Sequence, residues 1–369
     1  MKRILCIING MNADGAETML MKLYREVDRY QVQFDFFVMT DAIGYYEPEI
    51  KKLGGNIYHN GYLSIVRRPL QTFKEIYMCV KRNQYKHILL STEKPYYIPF
   101  LMASKLAGAE ILALRSTNST AMKGSLVDLI SHAFRFLVRG FTNVRLAPSE
   151  LAADFMFGEK SLSRHNVHIL NNGLKTKEFK FNHKDRMQIR NEFNFADKIV
   201  VGNVGRFYPQ KNHSFLIDVF YEISQIEEKA VLFLIGGGVL ENEIKLKIKR
   251  LGLERRVVFA GVRNDVRKCL MAMDVMVFPS FYEGMPNVVI EAQATGLPCV
   301  VSDSITAECK LTDRVSFLSL EDTPNEWAMT AMKVCGKNEL REHYATKVQE
   351  KGYDIKDVVN NFCRYMQLI

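Results

Sequence analysis

"KIVVGNVGRFYPQKNHSF", residues 198–215, passes from a run of β-branched residues through a glycine-led loop into the start of a helical pattern. An apolar run of that length without alternation reads as a strand covered on both faces, and such strands belong to parallel sheets. The same order recurs downstream in "AVLFLIGGG" (230–238), "RVVFAG" (256–261), "DVMVFPS" (274–280) and "LPCVVSD" (297–303), most of them followed by a helix-like segment. Upstream, "RILCII" (3–8), "FDFFVM" (34–39) and "HILLS" (87–91) lead into helical patterns near 17–28, 45–53 and 96–107. Repeated strand–helix units feed a parallel sheet, and two separate series of them predict an α/β chain of two Rossmann-like, doubly wound domains.

Between the series, "NVHILNNGLKTKEFKFNHKDR" (166–186) shifts from apolar to polar and basic and carries the turn signal Asn171-Asn172-Gly173. The boundary is therefore expected near 173–190, with domains over 1–175 and 190–345. The tail, 346–369, ends in "YDIKDVVNNFCRYMQLI", whose apolar positions recur at helical spacing. It needs a surface to pack on, and the first domain is the candidate.

At 369 residues the chain exceeds what one hydrophobic core usually organises. There is no apolar run of about 18 residues, and Met1-Lys2-Arg3 leads into a strand and not into a signal-peptide core, so a cytoplasmic protein is expected. Seven cysteines (6, 79, 269, 299, 309, 335, 363) lack any Cys-x-x-Cys or Cys/His spacing, which predicts reduced core thiols and no zinc. Nearly all of the net charge of +9 falls before Lys175, where about 23 basic residues face 15 acidic ones. "IVRRPL" (65–70) and "HAFRFLVRGF" (132–141) mix basic with apolar side chains, which suits an anionic membrane surface as well as an ordinary solvated helix face. No basic arm or recognition motif points to nucleic acid.

The polar residues that could do chemistry follow the strands. Gly205, Arg206 and Lys211 stand just before a helix, where a flexible backbone, a guanidinium and an ammonium suit a diphosphate. Taken alone, the pair also reads as a surface salt-bridging motif. The glycines at 236–238 end another strand, and Gly15-Ala16 stand immediately before the first helix; either could let a ligand approach the backbone, and either could be a plain turn. No G-x-G-x-x-G is present, so a nicotinamide dinucleotide is not indicated. In "FYEGMPNVVIEAQATGLPCVVSD" (281–303), Glu283 falls in a loop and Glu291 about one turn inside a helix for which Asn287 is the expected cap. Carboxylates in so apolar a segment need partners, and a hydroxyl-rich ligand would supply them.

In order and spacing, "GRFYPQKN", "IGGG", "FAG" and "FPSFYEGMPNVVIEAQATGLPCVVSD" resemble the retaining glycosyltransferases of family 4, most specifically over 198–310, with a tenor of bacterial capsular or exopolysaccharide synthesis. The resemblance implies the GT-B fold, two such domains facing a central cleft. It implies that Arg206 and Lys211 hold the donor diphosphate, that Glu283 meets donor-sugar hydroxyls and acts with them in catalysis, and that Glu291 accepts from the ribose. Amides near Gly284, Met285 and Asn287, and the loops at Gly15, Ala16, Gly205 and Gly237, would border the donor. Val262 and Arg263 would border the base. It further implies a UDP-sugar donor, a lipid-linked saccharide acceptor, no cofactor and no metal, since Arg, Lys and a helix dipole replace a cation at the leaving diphosphate. One departure stands out: where the polysaccharide subgroup carries roughly His-Ser-His-Asn, this chain has Arg115, Ser116, Thr117 and Asn118, and Thr117 cannot serve as an acid or base. A sugar-nucleotide epimerase on the same fold, or a catalytically silent sugar-nucleotide binder, stays open at this point, as does the oligomeric state.

Overall fold

Strands fall where the apolar runs do, and their order in space is what the runs could not show. The computed structural model of the chain describes residues 1–12, 15–60, 68–117, 126–164, 166–336 and 341–369. It divides into two units, Met1–Leu174 with Tyr353–Ile369, and Lys175–Gly352.

In the first unit, β1 (Lys2–Ile8), β2 (Val32–Val38), β3 (Ile57–His59), β4 (His87–Thr92), β5 (Ile111–Ser116), β6 (Val144–Ala147) and β7 (Val167–Ile169) pair in the order β3-β2-β1-β4-β5-β6-β7. In the second, β8 (Ile199–Val204), β9 (Ala230–Ile235), β10 (Val257–Gly261), β11 (Val275–Phe278), β12 (Cys299–Ser302) and β13 (Val315–Leu318) pair as β10-β9-β8-β11-β12-β13. The pairings are parallel, for example Ile7 with Phe37 and Leu90, or Val275 with Val201. Each sheet grows outward from its first strand and then returns to that strand's other side. The winding therefore reverses between β1 and β4, and again between β8 and β11. At such a switch two neighbouring loops leave in opposite directions and open a crevice at the carboxyl ends of the strands.

Helices cover both faces of the first sheet, as a parallel sheet requires, and β2 is buried at all seven positions. On one face Ile4, Cys6, Phe34, Phe36 and Leu89 pack beneath the helix Gly15–Glu26 and the terminal helix Ile355–Tyr365, whose Phe362 ring lies 5.7 Å from Phe34. The opposite face holds Leu5, Ile7, Leu90 and Leu114. The tail is tied to the first unit by backbone as well: Leu174 N–H donates to Tyr353 O, and Ile355 N–H to Leu174 O, each at 2.9 Å. The seven cysteines are free thiols, five of them buried.

The polar stretch 173–190 is not a bare linker. Beyond Leu174 it forms two helices of the second unit, Thr176–Phe179 and His183–Glu192, the latter capped by Asn182. Its polar composition misleads because two of the basic residues point inward. Arg186 donates to Asp274 Oδ1 at 2.5 Å and to the carbonyls of Met271, Ala272 and Met273, while buried Arg190 donates to Asp274 Oδ2 and Ala272 O. Buried Arg341 reaches the same turn through Met273 O, and burial pushes its guanidinium down to about 9. Three cations thus satisfy the orphan carbonyls that end the helix Val266–Ala272.

Candidate functional site

In the second unit the loop after β8 and the loop after β11 flank the switch, and a buried ion pair joins them. Lys211 Nζ donates to Glu283 Oε1 at 2.6 Å, both side chains mostly buried, and the ammonium stands 4.7 Å from the centre of the Phe278 ring. Backbone contacts hold the two loops in register. Phe281 N–H donates to Gln210 O at 2.9 Å, and Gln210 Nε2 donates to Tyr282 O at 2.8 Å. Behind them Asn203 Nδ2 donates to Val277 O at 2.8 Å, linking β8 and β11 through a side chain.

The glycine loop after β9 clasps the first of these loops from the other side. Phe207 N–H donates to Gly237 O and Gly205 N–H to Ile235 O, each at 2.9 Å, and Leu240 N–H donates to Phe207 O at 3.1 Å. Gly236 and Gly238 both have positive φ, and a Cβ on Gly236 would overlap the carbonyl oxygen of Gly205. Backbone, not side chain, must occupy that space. Gly205 itself lies under the Lys211 stem, whose Cε would be 3.2 Å from an added Cβ.

Among the residues named from sequence, the structure thus brings Gly205, Lys211, Gly237 and Glu283 to the carboxyl end of the second sheet. Arg206 lies at the exposed rim, its guanidinium 5.1 Å from the centre of the Tyr208 ring. Gly284 and Met285 are buried in the loop, and the helix they precede spans Asn287–Ala294, with half-buried Glu291 in its second turn. The expected cap is corrected by one position. Pro286, with extended ψ of 98°, is the N-cap, and Asn287 is the first helical residue. Proline takes the position because it fixes φ and gives up an N–H that a helix start does not need.

Arg263 is held by carboxylates from two elements. Its guanidinium is engaged by Asp265 at 2.7 Å on two nitrogens and by Glu192 at 2.7 Å, which raises its pKa, so beside highly exposed Val262 stands a cation already paired with two carboxylates. In the first unit Gly15 opens the helix after β1, with Ala16 half-buried behind it. Arg115 and Ser116 are buried at the end of β5, and Thr117 N–H donates to Thr92 O at 3.2 Å. Asn118, residues 65–67 of the basic stretch 65–70, and the side chains at 132 and 133 lie outside the described residues.

Sequence reasoning passed over His213, the first residue of the helix His213–Ile226, though a histidine two places after the candidate Lys211 was a legible signal. It is buried edge-on to Phe207 with ring centroids 4.8 Å apart, and neither ring nitrogen has a hydrogen-bond partner. Burial, with the charge of Lys211 added, pushes its pKa down to about 4. Since the folded-state value is depressed below the unfolded one near 6.5, the unfolded chain binds the extra proton first. Stability present above pH 6.5 is therefore lost as pH falls toward 4. His213→Phe is expected to remove about 1–2 kcal/mol of the loss seen between pH 7 and pH 5. Denaturant unfolding of both proteins at the two pH values checks it, and parallel losses would show that His213 does not titrate inside the fold.

Comparisons with known proteins agree with this geometry. Residues 198–336 match the family described as glycosyl transferases group 1. The chain is 32% identical to EpsF of Bacillus subtilis (strain 168), named as a glycosyltransferase, over 97% of this chain and 94% of that one. It is 40% identical over 103 residues, 27% of each chain, to the UDP-Gal:alpha-D-GlcNAc-diphosphoundecaprenol alpha-1,3-galactosyltransferase of Escherichia coli. Its fold is similar to that of Anabaena HepE, solved in complex with UDP-glucose, with a TM-score of 0.80 at 18% identity over the whole of both chains.

Proposed function

The chain belongs to the group 1 glycosyltransferases, and from that membership we propose that it transfers a sugar, with retention at the anomeric carbon, from a UDP-sugar to a lipid-linked saccharide in surface polysaccharide synthesis. The observation that carries the reading is the Lys211–Glu283 pair across the β8/β11 switch. In this reading the pair offers a cation to the charge that a leaving diphosphate gains and a carboxylate to the hydroxyls of the donor sugar. When the donor enters, the ammonium turns from carboxylate to diphosphate, and Glu283 accepts from hydroxyls in its place. Exposed Arg206 supplies a second cation at the rim. Together they serve the leaving group without a divalent ion or other cofactor, and the departing phosphate itself guides the acceptor hydroxyl to the same face of the sugar. Glu291 stands in the helix after that loop, and in this reading it accepts from the ribose.

The UDP-galactose and diphosphoundecaprenol in the name of the E. coli relative support the donor and acceptor classes. No helix among the described residues is long and apolar enough to cross a membrane. In the proposed reading the acceptor is reached from the cytoplasmic side by peripheral attachment of the basic first unit. Its helix Leu126–Phe141 exposes Phe136, and Leu70 and Leu106 are exposed on neighbouring elements.

A panel of nucleotide sugars, assayed for released UDP with and without anionic vesicles carrying membrane lipid extract and in excess chelator, tests the reading. The expected result is UDP release from one UDP-sugar, dependent on the extract, unchanged by chelator, with an α-linked product from an α-linked donor. Interconversion of free nucleotide sugars would make the chain an epimerase, and binding without UDP release would make it a silent binder. Activity lost in chelator and restored by magnesium or manganese would overturn the metal-free chemistry.

A further inference from the structure

The first unit has its own switch between β1 and β4, and the polar side chains there are short of partners. Ser91 on β4 and Arg115 on β5 are direct register partners, so in a parallel pair they lie side by side on one sheet face. That face is the one beneath the helix Gly15–Glu26, because Leu89 and Ala113, two residues earlier on each strand, pack in the cluster that helix covers. Ser91 is 4% exposed and Arg115 2%, yet Ser91 Oγ and Arg115 Nε have no hydrogen-bond partner among the described residues. The guanidinium makes one hydrogen bond among the described residues, from Nη2 to Asn172 Oδ1 at 2.6 Å. Glu17, in the first turn of the covering helix, acts on it through charge alone.

A buried guanidinium left with unmet donors is costly, since its desolvation is offset only when the fork of N–H groups is filled. Burial pushes Arg115 down to about 10, which still leaves it charged at neutral pH. The cluster is rich in donors, from Nε and the Ser91 hydroxyl, and poor in acceptors that are not already used. It suits a group that only accepts, and paired oxygens sharing one negative charge match the fork best.

We propose that Arg115 and Ser91 form an oxyanion site at the carboxyl ends of β4 and β5 that takes a phosphate of the lipid diphosphate to which the acceptor saccharide is attached. The inference rests on the transferase reading for the source of the phosphate, though not for the existence of the site. At the positions where related polysaccharide enzymes carry histidine, this chain would then select its acceptor through charge and fork geometry and not through proton transfer.

Binding, not turnover, separates the two. Calorimetric titration with inorganic pyrophosphate, a short-chain isoprenyl diphosphate and UDP is run on the unaltered protein, Arg115→Lys and Ser91→Ala. Both variants keep the charge and bulk of the cluster close to native, so each should fold; near-native unfolding midpoints confirm it. The isoprenyl diphosphate and pyrophosphate are expected to bind at least about tenfold more weakly to Arg115→Lys and about threefold more weakly to Ser91→Ala, with UDP unchanged. Equal weakening of UDP would support the same site with the donor as its source. Unchanged binding of all three probes, or no binding of pyrophosphate and isoprenyl diphosphate to the unaltered protein, would overturn the site and leave a buried water as the partner of Arg115 Nε. None of these readouts depends on whether sugar is transferred.

Discussion

Lys211→Ala is expected to lower turnover roughly 100-fold or more at saturating donor, the range seen when one preorganised charge-stabilising donor is removed from a site where negative charge develops. The variant should also lose stability, because Glu283 keeps its mostly buried position after its ammonium partner, 2.6 Å away, has gone. Adding Glu283→Gln to Lys211→Ala separates the two effects. Neutralising the buried carboxylate should restore much of the lost stability, while turnover stays low because the diphosphate still lacks the Lys211 ammonium and the donor sugar now lacks the Glu283 carboxylate. Denaturant midpoints and steady-state rates on the two variants provide both readings. Turnover within about threefold of the unaltered protein, at low and at saturating donor, would remove Lys211 from the diphosphate site.

Gly236→Ala is expected to be the most damaging small substitution in the second unit, costing about 3 kcal/mol or more. Its φ of +134° lies where side chains are strained, and the added methyl would overlap the Gly205 carbonyl. The loop after β8 would have to move, and with it Lys211. Gly237→Ala is the control, since a Cβ there meets Val262 Cγ2 at 3.8 Å and Glu241 Oε2 at 3.9 Å, ordinary contacts. Its stability should stay within about 1 kcal/mol of native. Equal midpoints for the two alanine variants would show that the glycine loop does not clasp its neighbour.

Much of this was legible one-dimensionally. A run such as "KIVVGNV" announces a strand buried on both faces, and the glycine, guanidinium and ammonium after it mark a loop that could meet a phosphate or form a surface salt bridge, because both signals are local. Arg263 shows where the reading runs out. Its guanidinium is used up by Glu192, 71 residues earlier, and that partner cannot be seen from the loop in which Arg263 sits. The helix His183–Glu192 lay inside the stretch read as a polar boundary for the same reason: its Arg186 is met by Asp274 and by the carbonyls of a turn some 85 residues away.

By itself, then, the sequence determined the α/β class, the two series of strand–helix units, the apolar core positions and the residue types able to hold a diphosphate and a sugar. Periodicity and turn chemistry are properties of neighbouring residues, and neighbours are what a sequence displays. Only the tertiary structure decided that β8 lies beside β11 and β1 beside β4, that Lys211 meets Glu283 across 72 positions of chain, and that Arg115 is buried next to Ser91 with donors to spare. Strand order and charge pairing arise from contacts between segments far apart in the chain, whose energies depend on burial and on which groups the fold brings together, and no local pattern encodes either.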